Sequence, residues 1–342
     1  MKLSERKKKI LSAVVDESIK TAEPVSSKEV QEKYMSEFSP ATIRNELMAL
    51  EEMGFLFQPH TSAGRVPTAE GYRKYVDELM TIKKLSKKES DQIKQTFDEK
   101  INNLDDILQK TAKTISDATN YASIVYYGIS NLAIIDKILL IPVTQKSTLV
   151  VVSTDLGIIK QESNLIHGTE DDLRQASKIL TNVFNGKSLC EVEEGTTLIT
   201  NELSRYKDIF LAIIQIITER DNDFSKNVVV AGKEKLLNYP EYHDIDKLKR
   251  AFSLFDNHEA LYPLLNGDQN LEINVTVGGD ESSGFSDCSI VSASYKLNGK
   301  HIGSANVIGP VRMDYGKVIS ILKNVTNLLE NSISNKEGEE NE

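Results

Sequence analysis

Residues 39–65, SPATIRNELMALEEMGFLFQPHTSAGR, restrict what this chain can fold into more than any other stretch. Ser39 is a strong helix N-cap, and Pro40 suits the first helical position, where a missing amide donor costs nothing. Ile43, Leu47 and Leu50 recur at steps of four and three and form one apolar face, so Thr42, Arg44, Asn45 and Glu46 are expected to point elsewhere. Arg and Asn near a helix N-terminus are the side chains that make bidentate contacts to guanine and adenine in the major groove, whereas an ordinary solvated face is rich in Glu and Lys. After Gly54 the apolar run Phe55 to Phe57, a turn at Gln58-Pro59 and the polar loop His60 to Arg65 read as a tight hairpin, with Gly64 suggesting a positive φ. The combination is that of a recognition helix followed by a wing.

The elements before this stretch agree. A first helix from Ser4 carries the apolar stripe Ile10, Leu11, Val14, Val15 and Ile19. Its opening lysines, Lys7 to Lys9, are read either as a solvated face or as phosphate contacts. Pro24 interrupts the chain, and Ser26-Ser27-Lys28-Glu29 forms a capping box for a second helix ending near Tyr34. Helix, helix, recognition helix and wing is the order of a winged helix-turn-helix domain. Candidate DNA contacts are Ser39, Thr42, Arg44 and Asn45 on the helix, His60, Thr61, Ser62 and Arg65 on the wing, and Arg73 on the helix after it. Charge distribution supports this placement: residues 1–88 hold 16 Lys/Arg against 13 Asp/Glu, leaving 25 against 38 for the rest of a chain of net charge -10.

Two long motifs carry a family resemblance. EPVSSKEV and SPATIRNELMALEEMGFLFQPHTSAGRVPTAEGYRKYVDELM near one end, and IGPVRMDY (Ile308 to Tyr315) with the upstream Asp287-Cys288-Ser289 near the other, resemble the HrcA heat-inducible transcription repressors over essentially the whole chain. Departures are small: Asn45-Glu46 where the family commonly has an Asp at the second position, and Gly278-Gly279-Asp280 where it often has Gly-Glu-Glu-Asn. The resemblance implies an α+β multidomain repressor with no catalytic residues and no cofactor. Its expected parts are a winged helix-turn-helix domain at 1–85, a GAF-like α/β domain with an antiparallel sheet at 90–165 and 226–335, and an inserted, mainly helical dimerising domain at 166–225. It further implies a homodimer that holds down chaperone operons by binding the inverted repeat called CIRCE, with the GroE chaperonin supporting its activity.

The middle of the chain gives coarser expectations. TIKKLSKKES (81–90) reads as a charged linker. A long helix then aligns Phe97, Ile101, Leu104, Leu108, Thr111, Ile115, Ala118 and Ala122 along one seam, either a dimer contact or a helix laid on its own domain's sheet. Strands at 137–143, 147–154 and 157–165 form an antiparallel meander. Helices follow at 171–184 and 200–218, and the second is apolar enough at Phe210, Ile213, Ile214 and Ile217 to nominate these four for the dimer interface. A strand at 228–231, a helix at 244–255, strands at 271–277, 289–297 and 300–308 with Asn298-Gly299 as a hairpin turn, and a last helix at 314–332 return the chain to the sheet. The acidic tail, 336–342, is expected to be disordered.

Other function classes find little support. No apolar run approaches the roughly 18 residues needed to span a bilayer, and the N-terminus lacks the apolar core of a signal peptide, so a cytoplasmic, nucleoid-associated protein is expected. Cys190 and Cys288 are far apart, and the five histidines show no paired metal spacing. Gly278-Gly279-Asp280-Glu281-Ser282 is similar to the hairpin signature of diguanylate cyclases but lacks its final aromatic and reads as a Gly-rich turn. No nucleophile sits in a G-x-S-x-G elbow. The alternative that stays open is a small-molecule-gated regulator using the GAF-like domain as sensor, alongside a chaperone-interacting scaffold.

Overall fold

The computed structural model describes residues 3–61, 63–97, 104–127, 134–144, 146–154, 157–188, 191, 208–213, 215, 228–256, 261, 265, 271–279, 287–297 and 300–339. The N-terminal unit consists of α1 (Glu5–Thr21), α2 (Ser27–Tyr34), α3 (Pro40–Glu52), β1 (Leu56–Phe57), β2 (Val66–Pro67) and α4 (Ala69–Glu78). Each helix begins where a side chain accepts from the first turn. The Ser4 hydroxyl accepts from Lys7 N at 3.3 Å, Ser26 and Glu29 close a capping box, and Ser39 and Thr68 each accept from the third residue on, at 3.1 Å. Ile10, Leu11, Val14 and Val15 of α1 meet Ile43, Leu47 and Leu50 of α3, all buried, at about 1.5 to 3 kcal/mol for each fully buried aliphatic side chain.

β1 and β2 pair antiparallel, and Val25 bridges Arg65 through two hydrogen bonds of 2.8 and 2.9 Å, which gives the wing a one-residue third strand. That bridge explains Gly64 differently from the positive φ suggested by the sequence. Gly64 has no positive φ; a Cβ there would lie 2.4 Å from the Val25 carbonyl carbon and oxygen. The left-handed glycine is Gly54, at φ +80°, which ends α3.

The remainder forms two further sheets. β7 (Val228–Ala231), β3 (Ala122–Tyr127), β10 (Lys300–Pro310), β9 (Cys288–Leu297) and β8 (Ile273–Val277) lie in that order in a five-stranded antiparallel sheet. One face, with Val125, Val291, Ala293, Tyr295, Ala305 and Val307, is covered by α6 (Leu104–Thr119) and α9 (Tyr315–Glu339), with α5 (Lys87–Phe97) packed against both helices. The other face, with Ile124, Tyr126, Ile290 and Ile308, is covered by 3-10 turns at Lys233–Asn238 and Pro240–Tyr242 and by α8 (Ile245–Asp256). The meander β4 (Ile135–Thr144), β5 (Ser147–Thr154) and β6 (Gly157–Ser163) does not join that sheet. It stands alone, with α7 (Glu170–Phe184) and the helical residues 208–213 packed on it around a separate core.

Several expectations change. The single long helix becomes α5 and α6 on either side of residues 98–103, which lie outside the described residues, and Ala122 begins β3 rather than ending the seam. Leu108, Thr111 and Ile115 are buried against the chain's own sheet and α9, so the seam is internal packing. Asn120, left-handed at φ +62°, breaks the chain between α6 and β3, and the apolar seam read from the sequence runs through that break to Ala122. The polar end of the chain continues α9 as far as Glu339, because extending an existing helix through Lys and Glu costs far less than starting one. The turn expected at Asn298-Gly299 lies outside the described residues. Along the edge of β4, α7 supplies a polar stripe: Ser177 accepts from Leu140 N at 2.9 Å, Thr181 bonds both N and O of Ile138, and Asn185 donates to Asp136 O at 2.7 Å. Pro142, further along, has no amide to pair, so this edge is closed to other strands.

Gly64→Ala should lower stability by about 1 to 3 kcal/mol, the cost of inserting a group into filled space. The urea midpoint would show it, and a midpoint within error of the unsubstituted chain would mean the bridge at Val25 gives way freely.

Candidate nucleic-acid interface

The side chains nominated for DNA contact divide into an exposed set and a set engaged inside the protein. Arg44 and Asn45 are exposed on α3 and make no hydrogen bond or ion pair with any described residue. Met48, 45% exposed, lies one turn beyond Arg44 on the same face. Ser39 and Thr42 sit at the helix start, their hydroxyls 2.9 Å apart, with Ser39 already capping the Thr42 amide. His60 and Thr61 are exposed at the wing tip, while Ser62 lies outside the described residues. The loop is held from within: the Gln58 amide donates to Thr61 O at 3.1 Å and Ala63 O at 2.9 Å. Arg44 and Asn45 on α3 and His60 at the wing tip thus present side-chain donors that pair with no described residue.

Three other residues behave differently from expectation. Glu46 is not on the exposed face; it is 6% exposed and takes Arg6 Nε and Lys7 Nζ, each at 2.6 Å. Those pairs, Lys7 first, hold its carboxyl below the usual carboxylate range, and they give Lys7 a structural partner. Arg65 faces inward: its guanidinium pairs with Glu51 of α3 at 2.8 Å, its side chain is 13% exposed, and its Nε is buried without a partner, so it ties the wing to the recognition helix. Arg73 does not lie free for a phosphate. It donates to Val277 O at 3.0 Å and Gly278 O at 3.2 Å, which belong to the end of β8. A helix-periodicity argument cannot see these partners, because each is supplied by a different element.

A second buried carboxylate, missed in the sequence, works in the same way. Glu17 of α1 is 5% exposed and takes Lys33 Nζ at 2.5 Å and the Tyr34 hydroxyl at 2.8 Å, both from α2. The Lys33 hydrogen bond is the main reason its carboxyl is held low. Tyr75 of α4 donates to Asp16 of α1 at 2.7 Å, and Ser18 and Tyr72 hydroxyls meet at 3.1 Å. Glu17 and Glu46 therefore staple α1 to α2 and to α3, and hold the recognition helix in place.

Among the interface residues proposed for self-association, Phe210 and Ile213 are each 2% exposed, and the Phe210 ring stacks on Phe184 with centroids 5.2 Å apart. Their apolar surface is consumed within the chain, in the core beneath β4 and β5. Ile214 and Ile217 lie outside the described residues. No group of three potential metal ligands occurs among the described residues, and no helix there is long and apolar enough to cross a membrane.

Arg44 and Asn45 exposed on a third helix, beside a pinned hairpin, form the arrangement of a winged-helix DNA-binding protein. Sequence comparison makes the assignment specific. Residues 2–81 match the family described as "Winged helix-turn-helix transcription repressor, HrcA DNA-binding", and residues 105–319 match the "HrcA protein C terminal domain". Proteins named heat-inducible transcription repressor HrcA from Natranaerobius thermophilus and Pelotomaculum thermopropionicum are 34% and 35% identical, covering 98% and 96% of this chain and 98% of each relative. The chain belongs to the HrcA family of heat-inducible transcription repressors. A crystal structure described only as that of a hypothetical protein shares the fold, with a TM-score of 0.61 at 22% identity over 98% of both chains.

The two stapling carboxylates set an acid limit. Both folded-state values are depressed, so their stabilisation is fully present above the unfolded value of about 4.3 and is lost as pH falls through the lower folded values. Glu46→Gln should cost about 1 to 2 kcal/mol near neutrality, less than a fully buried pair because Arg6 is half exposed, and should flatten the fall in stability below that pH. Denaturant melts from pH 3 to 7 check this, and an acid limb as steep as in the unsubstituted chain would remove Glu46 from the account.

Proposed function

We propose that the chain is a homodimeric repressor of chaperone operons. In this reading α3 enters the major groove of each half of the inverted repeat called CIRCE, the wing lies along the adjacent backbone, and the GroE chaperonin restores the folded repressor after heat. The observation that carries the proposal is the pair Arg44 and Asn45, exposed and unpaired at the N-terminal half of α3, where bidentate donors read guanine and adenine. His60 and Thr61 supply further donors at the wing tip. Arg65, Arg73 and Glu46 hold the reading elements and do not read.

The five-stranded sheet with helices on both faces serves as a GAF-like body, and the unit built on β4–β6 and α7 serves as the inserted dimerising domain. Its start moves from residue 166 to about 134, since the meander shares the core of α7 and not that of the body. The surface offered to a second copy is the outer face of that meander: Leu139, Ile141 and Val143 are 36%, 44% and 53% exposed in a row on β4, with half-buried Leu149 and Val151 beside them on β5. A two-fold axis there presents the same apolar patch on both sides and matches the symmetry of an inverted repeat.

Footprinting on DNA upstream of the chain's own gene is the direct test, and a protected inverted repeat is the expected result; protection of a single unrepeated site would count against a dimeric repressor. Arg44→Ala or Asn45→Ala should each lose about 1 to 3 kcal/mol on that repeat with non-specific affinity nearly unchanged. Equal losses on specific and random DNA would mean that these side chains do not read bases. Ile141→Asp should convert the sedimenting species from dimer to monomer with an unchanged far-UV spectrum. A dimer that survives the substitution would place the contact elsewhere.

A further inference from the structure

The winged-helix unit is fastened to the body at three separate places. On α4, Arg73 donates to the carbonyls of Val277 and Gly278. From the body, Arg312, just after β10, reaches in the opposite direction and donates to the carbonyl of Ile19 in the last turn of α1 at 3.2 Å. The same guanidinium forks onto the carboxylate of Glu241, with Nη2 to Oε2 at 3.2 Å, and lies 5.6 Å above the Tyr239 ring, which stacks on Tyr121. Along the connection, Lys83 pairs with Asp314 at 2.8 Å, and the Lys83 carbonyl accepts from Ser320 of α9. The stretch expected to be a free linker is therefore bound along α9.

One attachment leaves a domain free to swivel, and two leave rotation about the line joining them. Three remove it. The two arginines are reciprocal, each donating from its own unit to main-chain carbonyls of the other, and Arg312 is 14% exposed at the junction with its charge balanced by Glu241. Glu241 lies in the second 3-10 turn on the body and Tyr239 joins the two turns, so the orientation of α1, and through the Glu46 staple that of α3, is referred to the body sheet.

We infer that Arg73 and Arg312 are positioning residues that fix the reading helix of each chain against its own body, and so narrow the range of spacings between half-sites that the protein accepts. The inference rests on the proposed reading of a dimer on an inverted repeat. One added base pair moves a half-site by about 3.4 Å and rotates it by roughly 35° about the duplex axis. A rigidly held domain cannot follow that displacement, whereas one released from the body can.

The test uses the full-length chain and two kinds of DNA: a single half-site, and a series of inverted repeats whose spacer is varied by one and two base pairs either side of the natural length. The unsubstituted chain should lose about tenfold or more in affinity per base pair of change. In Arg312→Lys, Arg73→Gln and the double variant, that loss should shrink to about twofold to threefold, while affinity and salt dependence on the single half-site stay within about twofold. Arg312→Lys keeps the charge but cannot fork to Glu241 and Ile19 together. Arg73 is about half exposed, so Arg73→Gln probes the junction without opening a core. A spacing profile as sharp in the variants as in the unsubstituted chain would overturn the inference alone. Loss of half-site affinity with a reduced salt slope in Arg73→Gln would also overturn it, by returning Arg73 to phosphate contact. An unsubstituted chain that binds the repeat no tighter than one half-site would overturn the dimeric reading, and this inference with it.

Discussion

One apolar core runs from the first helix of the DNA-binding unit to the last helix of the body. Ile10 and Val14 of α1, Leu50 of α3, Tyr72 of α4, Ile93 of α5, Ile115 of α6 and Leu322 of α9 belong to a single cluster of buried side chains. A winged-helix domain on a free tether would expose the α4 surface covered here, together with Leu79, Met80 and Leu85, which pack against the core. Burial of this kind is non-directional, so it brings the two units together without deciding their angle. The angle comes from polar contacts with fixed geometry: Arg73 on carbonyls, Arg312 on a carbonyl and a carboxylate, and Lys83 on Asp314.

The same division appears inside the recognition helix. Ile43, Leu47 and Leu50 supply the stabilising area, Glu46 fixes rotation and height by binding Arg6 and Lys7, and Arg44 with Asn45 is left free. A charge can be buried at the edge of that core because it is fully paired; an unpaired carboxylate there would cost several kcal/mol. Placing reading side chains beside a buried ionic staple gives them a rigid frame. Rigidity matters because a bidentate contact to a base edge tolerates little displacement.

The parts legible in the sequence were those set by local chemistry. Ser4, the Ser26–Glu29 capping box and Ser39-Pro40 each mark a helix start within a residue of where it falls. Short continuous runs rich in valine located β5 and β7 at their observed bounds. The failures have a common cause in partners distant along the chain. Glu46 looked like a solvated residue because Arg6 and Lys7 are about forty positions away, and Arg73 looked like a phosphate ligand because Val277 is 204 positions away. Gly64 was rightly singled out for a backbone reason, but the reason is close approach to Val25 and not handedness. Phe210 and Ile213 were correctly read as buried, yet sequence alone cannot distinguish burial against a second copy from burial against α7.

Amide hydrogen exchange of the full-length chain, with and without a duplex carrying the protected inverted repeat, tests the central claim most directly. The account predicts that DNA slows exchange chiefly in residues 39–48 and in the wing loop 58–63. It predicts no DNA-induced change in β9 and β10, which already lie in the interior. Tight, specific binding that leaves residues 39–48 exchanging as in the free protein would contradict the assignment of α3 as the reading element.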